Sequence, residues 1–393
     1  MDLIYLDHNS TTPLAPEVFE AMRPYWSDVF ANPASAHRAG RRARQALEAA
    51  REQVAALLGA DPDEVLFTSG ATEANNLALF GLAGDPPGLL LASPVEHPSV
   101  SEPLAQLQRR GFRVEFLAVE AAGIVRLDTL PPLLAQAPRL ITVMLANNET
   151  GAIQPVAELA RQSAPAPFHC DAVQAAGKIP VNFHALGVTS LAISAHKFNG
   201  PRGVGALLVR RGSALRPLFW GGHQQHGLRP GTEPVVLAVG MAKALEIACR
   251  EMDERTARVR ALRDRFLSAL RERAAPVVLN GPAEGGLPHT LNLSFPGCRA
   301  ETLLMKLDFA GVACSAGSAC SSGSLLPSPV LRAMGCPEEV LHSALRFSLS
   351  HLNTETEIAR AVERIAAAVA RLRAQAGEES DPPFHPPTAS ASR

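Results

Sequence analysis

Apolar positions recur at near-helical spacing through residues 35–59, SAHRAGRRARQALEAAREQVAALLG. Leu47, Ala50, Val54, Leu57 and Leu58 share one side, and Gly59 supplies a stop. Beyond it the rhythm changes. Short, nearly continuous apolar runs (EVLFTS, GLLLAS, RVEFLAV, LITVMLA, APFHCDA, SLAISA, VGALLVR) alternate with helical stretches. Such runs are strands buried on both faces, which predicts a mostly parallel sheet covered by helices. Residues 235–273 read as a long helical region, and the charges of DERTARVRALRDR at its end as a solvated face. The final third returns to strands (PVVLNG, TLNLSF, GVACS, ALRFSLS). It closes with an amphipathic helix along which Ile358, Val362, Ile365, Val369 and Leu372 line one side. The pattern predicts an α/β protein of two units. A large domain over residues 15–256 carries a mostly parallel, mixed sheet flanked by helices; a smaller α+β domain combines residues 1–14 with 257–375. The Pro- and Ser-rich residues 376–393 read as a disordered tail.

Composition narrows the function classes. The chain of 393 residues is 47% hydrophobic with a net charge of −1 and no long block of one sign, so neither nucleic acid nor a membrane surface is the expected partner. No basic, apolar leader opens the chain and no apolar run reaches a membrane span, which predicts a soluble, cytoplasmic protein. Six cysteines lie scattered without a C-x-x-C pair, in keeping with neither a disulfide framework nor a zinc site. Cys249 and Cys336 read as small hydrophobes. Four of the 37 basic residues are lysine: Lys178, Lys197, Lys243 and Lys306. A chain that writes its positive charge as arginine has a reason to keep a lysine, because only the lysine amine becomes neutral and forms a Schiff base.

The strand ends carry the candidate chemistry. EVLFTS runs into GATEANN, GLLLAS into PVEHPSV, LITVMLA into NNETGA, PFHC into DAVQAAGK and SLAISA into HKFNGPRGVG. Ligands of open α/β sheets bind beyond the carboxyl ends of the strands, so five polar ends predict one site. Gly70 permits close backbone approach, and Thr72 stands before the helix EANNLALFGL, where free N–H groups and the helix dipole favour an anion. Such a turn is common and does not by itself specify phosphate, and no P-loop pattern is present. Asp171 ends an apolar strand, where a carboxylate needs a partner; a structural ion pair is the plain alternative. Lys197 ends another strand, preceded by Ser194 and His196, and His97 stands in VEHPSV. An anion cradle, a carboxylate and a lysine amine together suit pyridoxal phosphate (PLP), which needs a phosphate site, a partner for its ring nitrogen and a Schiff-base lysine.

With these motifs in order the chain resembles the cysteine desulfurases of the NifS/IscS type, within the class V aminotransferase group of PLP enzymes. The resemblance runs through YLDHNSTTP (5–13), NPASAHRAGRRAR (32–44), FTSGATEANN (67–76), EHPSV (96–100), NNETG (147–151), HCDAVQAAGK (169–178), SAHKFNGPRGVG (194–205), SAGSACSSGS (315–324) and ALRFSLS (344–350). It implies PLP-dependent transferase fold type I and a homodimer. It also implies that L-cysteine is converted to L-alanine with a persulfide formed on Cys320. A sulfur-acceptor protein, an iron–sulfur scaffold or a tRNA-thiolation enzyme, would take the sulfur. By the same resemblance Lys197 would hold PLP, Asp171 would pair the ring nitrogen, and Gln174 would contact the phenolic oxygen. Gly70, Ala71, Thr72, Ser194 and His196 would line the cofactor, the last three at its phosphate. His97 would stack on the ring and shuttle protons, Asn148 would sit near substrate and ring, and Arg346 would clamp the substrate carboxylate. Thr232 would reach the phosphate of the neighbouring subunit.

Cys320 lies in ACSAGSACSSGSLLPS, a small-residue, turn-forming stretch suited to a mobile thiol, whereas Cys314 reads as a packed strand residue. One stretch departs from the family pattern, close to GGGQERGLRSGTE: here GGHQQHGLRPGTE (221–233) has His223, Gln225, His226 and Pro230 in place of a glycine, an acid, an arginine and a serine. The nearest alternative is a selenocysteine lyase or another aminotransferase-like PLP enzyme of the same fold, which does not require Cys320. A non-catalytic scaffold or cofactor-binding regulator of a sulfur pathway is the alternative from another class.

Overall fold

A computed structural model describes residues 2–316 and 327–379, and the side chains of residues 2–316 and 327–375. Strands are numbered through the chain, and helices where they bear on the site. Strand β1 (Ile4–Tyr5) comes first, followed by helix α1 (Arg38–Leu58). The His37 side chain caps α1 by accepting from the Gly40 amide, and Gly59 ends it at φ 61°, a left-handed conformation that favours glycine. Between these ends Ala43, Leu47, Ala50, Val54 and Leu58 form the buried stripe anticipated from the spacing.

The central sheet contains β2 (Val65–Thr68), β3 (Leu89–Ala92), β4 (Arg113–Phe116), β5 (Leu140–Thr142), β6 (Phe168–Asp171), β7 (Ser190–Ser194) and β8 (Gly205–Val209). Its order is β2-β8-β7-β6-β5-β3-β4. The pairs from β7 to β4 are parallel, and β8 runs antiparallel to both neighbours. Alternation along the strands sorts the two faces. Val65, Phe67, Leu89, Leu91, Ile141, Cys170, Leu191 and Ile193 face one core with α1. Leu66, Leu90, Ala92, Leu140, Ala192 and Leu207 face the other, under α2 (Ala71–Ala83) and α3 (Pro98–Arg109). Both faces being covered is why the strands read as continuous apolar runs.

A second core holds Ile4, Leu6, Phe266, Leu293, Phe347 and Ile365. It is built on the antiparallel sheet β12-β10-β9 and on β11 (Val312–Ala313), which pairs with β1. Here β9 is Val278–Leu279, β10 is Thr290–Ser294 and β12 is Ala344–Ser348. The helical region 235–273 is two helices, α4 (Val235–Arg250) and α5 (Met252–Arg273), broken at Glu251. The first supplies Met241 and Leu245 to the sheet core, the second Phe266 and Leu270 to the smaller one. The last helix, α6, spans Glu355–Glu379. It corrects the expectation for the tail: residues 376–379 continue the helix. Extending a helix already nucleated and packed through Val369 is easy, and the Pro and Ser that weighed in the compositional reading come only afterwards.

Candidate active site

The carboxyl ends of β2, β3, β6 and β7 share one edge of the sheet, and a cavity of about 560 Å³ opens beyond them. It is lined by Gly70, Ala71, Thr72, His97, Asn148 and Asp171, and further by Gln174, Ser194, His196 and Lys197. These are ten of the candidate residues, drawn from five separate loops. Ser10, Thr11 and Arg202 line it too and were not singled out from the sequence.

One end is an anion cradle. Helix α2 begins at Ala71, so Thr72 lies inside its first turn rather than ahead of it, and no side chain caps its amides. Ala71, Thr72, Ser194 and His196 all line the cavity, and free N–H groups with hydroxyls suit an anion. The start of β8 passes directly beneath: a Cβ on Gly205 would lie 2.8 Å from the Gly70 carbonyl carbon. Burial, then the charge of Lys197, pushes the His196 imidazole down to about 4, so it meets the cavity as a neutral group.

Asp171 lines the same cavity and is 4% exposed. Its Oδ1 accepts from the Val173 amide at 3.0 Å and its Oδ2 from Asn75 Nδ2 at 2.8 Å. The Asn75 carbonyl oxygen lies 3.0 Å from His169 Nε2, and His169 Nδ1 lies 2.8 Å from Ser190 Oγ. Burial holds His169 down to about 3, so its ring is neutral. Asn75 can only accept at that oxygen, so His169 carries its proton on Nε2 and Ser190 donates to Nδ1. The carboxylate is thus the end of a fully assigned chain across β6 and β7. Asn75 and His169 were missed from sequence, although His169 and Asp171, two apart on β6, must share a face.

Lys197 follows β7, and its Nζ donates to the carbonyls of Asn9 at 2.6 Å and Ser10 at 2.8 Å. Gln174 Nε2 donates to the same Asn9 carbonyl at 3.0 Å. His97 caps α3, its Nδ1 accepting from the Ser99 amide at 3.0 Å, which leaves Nε2 as the proton-bearing atom of the neutral ring. Burial lowers its pKa against the opposing pull of Asp171. Glu96 beside it is buried, and burial pushes its carboxyl up to about 8. Its Oε1 accepts from Ser93 Oγ and the Met144 amide, and its Oε2 has no partner among the described residues.

Three candidates stand away from the cavity wall or outside the described residues. Arg346 is 1% exposed and lies behind the wall. It donates to the Asn148 carbonyl at 3.1 Å and, through Nη2, to Asp7 Oδ1 and Ser10 Oγ at 2.8 Å each. Its Nε has no partner among the described residues. Thr232 is exposed and does not line the cavity. Cys320 lies outside the described residues. Cys314 follows β11 against the smaller core, and burial drives its thiol far up.

The departure at 221–233 has its own geometry. Gln225 is buried; its Oε1 accepts from Arg51 Nη1 at 2.9 Å and the Phe67 amide at 3.2 Å, and its Nε2 donates to Glu233 at 2.7 Å. An amide supplies a donor where an acid would only accept, which lets Glu233 approach. No helix among the described residues is long and apolar enough to cross a membrane.

This donor set fits a phosphorylated pyridine aldehyde: an anion cradle, an amine, and a buried carboxylate held by two donors. The comparisons with known proteins agree with the geometry. The class-V aminotransferase family model matches residues 4–361. The cysteine desulfurase IscS of Dictyoglomus turgidum is 44% identical over 375 residues, covering 94% of this chain and 95% of that protein. Among solved structures, a NifS-like protein superposes with a TM-score of 0.89 at 37% identity, over 94% of this chain and 100% of that one. A structure of SspA in complex with cysteine gives a TM-score of 0.78 at 34% identity, over 89% and 99% of the respective chains.

Proposed function

The chain belongs to the class-V aminotransferase family, and from that premise we infer that it is a PLP-dependent cysteine desulfurase, converting L-cysteine to L-alanine and passing the sulfur on as a persulfide. One observation carries the reading: Lys197, Asp171, His97 and the α2 cradle, from four separate loops, line a single cavity. When bound, PLP supplies an electron sink for the bonding pair released next to the substrate nitrogen.

The protein's own residues do the rest. Lys197 offers the amine that holds the cofactor. The Ala71 and Thr72 region, Ser194 and His196 take its phosphate. Asp171, kept in place by Val173 and Asn75, pairs the ring nitrogen and keeps it protonated. Gln174 contacts the phenolic oxygen, and His97 covers the ring with its proton on Nε2. Arg346 and Asn148 would receive the substrate carboxylate; to do so the Arg346 Nη2 that now holds Asp7 and Ser10 must be shared with it. The Cys320 thiolate takes the substrate sulfur: an S–S bond forms, the carbon–sulfur bond breaks with its pair left on carbon, and protonation there yields alanine. A homodimer would complete each cradle with Thr232 of the partner subunit, and an iron–sulfur scaffold or a tRNA-thiolation enzyme would accept the sulfur in the cytoplasm.

Cys320→Ser tests the reading. The variant should keep the yellow cofactor and form no alanine from cysteine, with no persulfide on the mapped peptide. Undiminished alanine formation would refute desulfuration through this thiol and favour a lyase that does not need it.

A further inference from the structure

A second cavity, about 60 Å³, lies on the other side of Lys197 between the two cores. Its titratable lining is basic throughout: His8, Lys178, Lys197, Arg255, His289 and His351, with no carboxylate. Arg255 is paired with Glu251, at the break before α5, at 2.7 Å. The imidazoles are held neutral, His8 and His351 pushed down to about 4 mainly by burial, and His289 far below its usual value for the same reason. The two lysine amines are what remains.

Lys178 is one of four lysines in an arginine-rich chain, and it is half-buried at the wall of this cavity. Among the described residues its Nζ has one acceptor, Gln174 Oε1 at 2.9 Å. Gln174 in turn donates to the Asn9 carbonyl that Lys197 also holds. The backbone of Lys178 is pinned from α5, Thr256 Oγ1 donating to its carbonyl at 3.2 Å. A lysine amine only donates, so it fixes the Gln174 amide with the oxygen towards Lys178 and the NH2 towards Asn9. We propose that Lys178 is a positioning residue of this site: it locks the Gln174 amide and, through the carbonyl that Gln174 shares with Lys197, disfavours a positive charge on Lys197.

Burial, then the charges of Lys197 and Arg346, drives Lys178 well below the ordinary lysine range. Repulsion between ammonium groups is mutual, so a charge on either amine disfavours one on the other. Lowering the charge on a reactive amine with a cationic neighbour is a general way to keep it nucleophilic.

The inference rests on Lys197 being the cofactor lysine, and the experiment separates the two. Lys178→Met, Lys178→Gln, Lys178→Arg and Lys197→Ala are purified with PLP, and the visible band is titrated with pH. Lys197→Ala should lose the lysine-linked band. Lys178→Met should keep it, with its midpoint moved up by about one unit; Lys178→Arg should stay near the parent. Lys178→Gln, neutral and polar, should move as Met does and serves if the Met variant fails to fold. In these variants kcat should fall while KM for cysteine holds. Midpoints unchanged in both neutral variants would overturn the role of Lys178. A band lost in the Lys178 variants but kept in Lys197→Ala would overturn the cofactor assignment itself.

Discussion

Replacing Asn75 with leucine tests the chain that holds Asp171. The Asn75 amide makes buried contacts to Asp171 Oδ2 and Ser99 Oγ at 2.8 Å each and to His169 Nε2 at 3.0 Å. Leucine keeps the volume and removes all three. Losing a hydrogen bond to a charged acceptor costs about 1.5–3 kcal/mol, and a buried donor left unsatisfied about 1–3 kcal/mol. Both happen together, so Asn75→Leu should lose on the order of 3–5 kcal/mol. His169→Leu leaves the Asp171 contact intact and should lose less, about 1–3 kcal/mol. In the double variant the stranded Nε2–H no longer exists. The combined loss should therefore fall short of the sum by about 1–3 kcal/mol. Urea unfolding followed by circular dichroism, on the four proteins of the cycle, reads these differences provided the slopes agree. Additivity within about 0.5 kcal/mol would refute the chain as drawn.

The remaining predictions concern charge. Glu96 has its native pKa raised from 4.5 to about 8, so it binds a proton in the folded state that the unfolded chain has already released. Its stabilisation is complete below about pH 4.5 and is lost as pH rises through about 8. Glu96→Gln should therefore gain on the parent by a few kcal/mol between pH 5 and pH 9 in urea midpoints, and parallel curves for the two proteins would contradict the burial argument. Gln225→Glu would set a second carboxylate against Glu233, where the amide now donates at 2.7 Å. Thermal melts should fall more at pH 8 than at pH 5, by about 1–3 kcal/mol. In a Glu233→Gln background the effect should vanish; if it persists, the pairing is not its source.

The inner strands were legible because burial on both faces leaves no alternation to misread, and every apolar run singled out contains a strand. The strand-end logic also brought Asp171, Lys197, His97 and the Gly70 turn to one cavity. What stayed hidden depends on partners far along the chain. Asn75 looks like any polar helix residue until His169, 94 positions later, is beside it. Asn9 offers only a backbone carbonyl, which has no sequence signature, yet Lys197 and Gln174 both bind it. Lys178 was counted among the lysines, but its burial against Gln174 follows from the packing of α5. Arg346 was named through the family resemblance, and its engagement with Asp7, 339 positions earlier, is a long-range fact of the same sort.

The opening residues tie the two cores together. Ile4 and Leu6 pack in the smaller core and Val18 and Met22 in the sheet core, and between them Asn9 donates to Thr290 Oγ1 while its amide donates to Ser348 Oγ. The strap and its anchors lie far apart in sequence, Asn9 against Thr290 and Ser348. A fragment that ends before Ser348 cannot close this strap. A truncation ahead of β12 therefore removes an anchor of the segment whose carbonyls hold Lys197 and Gln174.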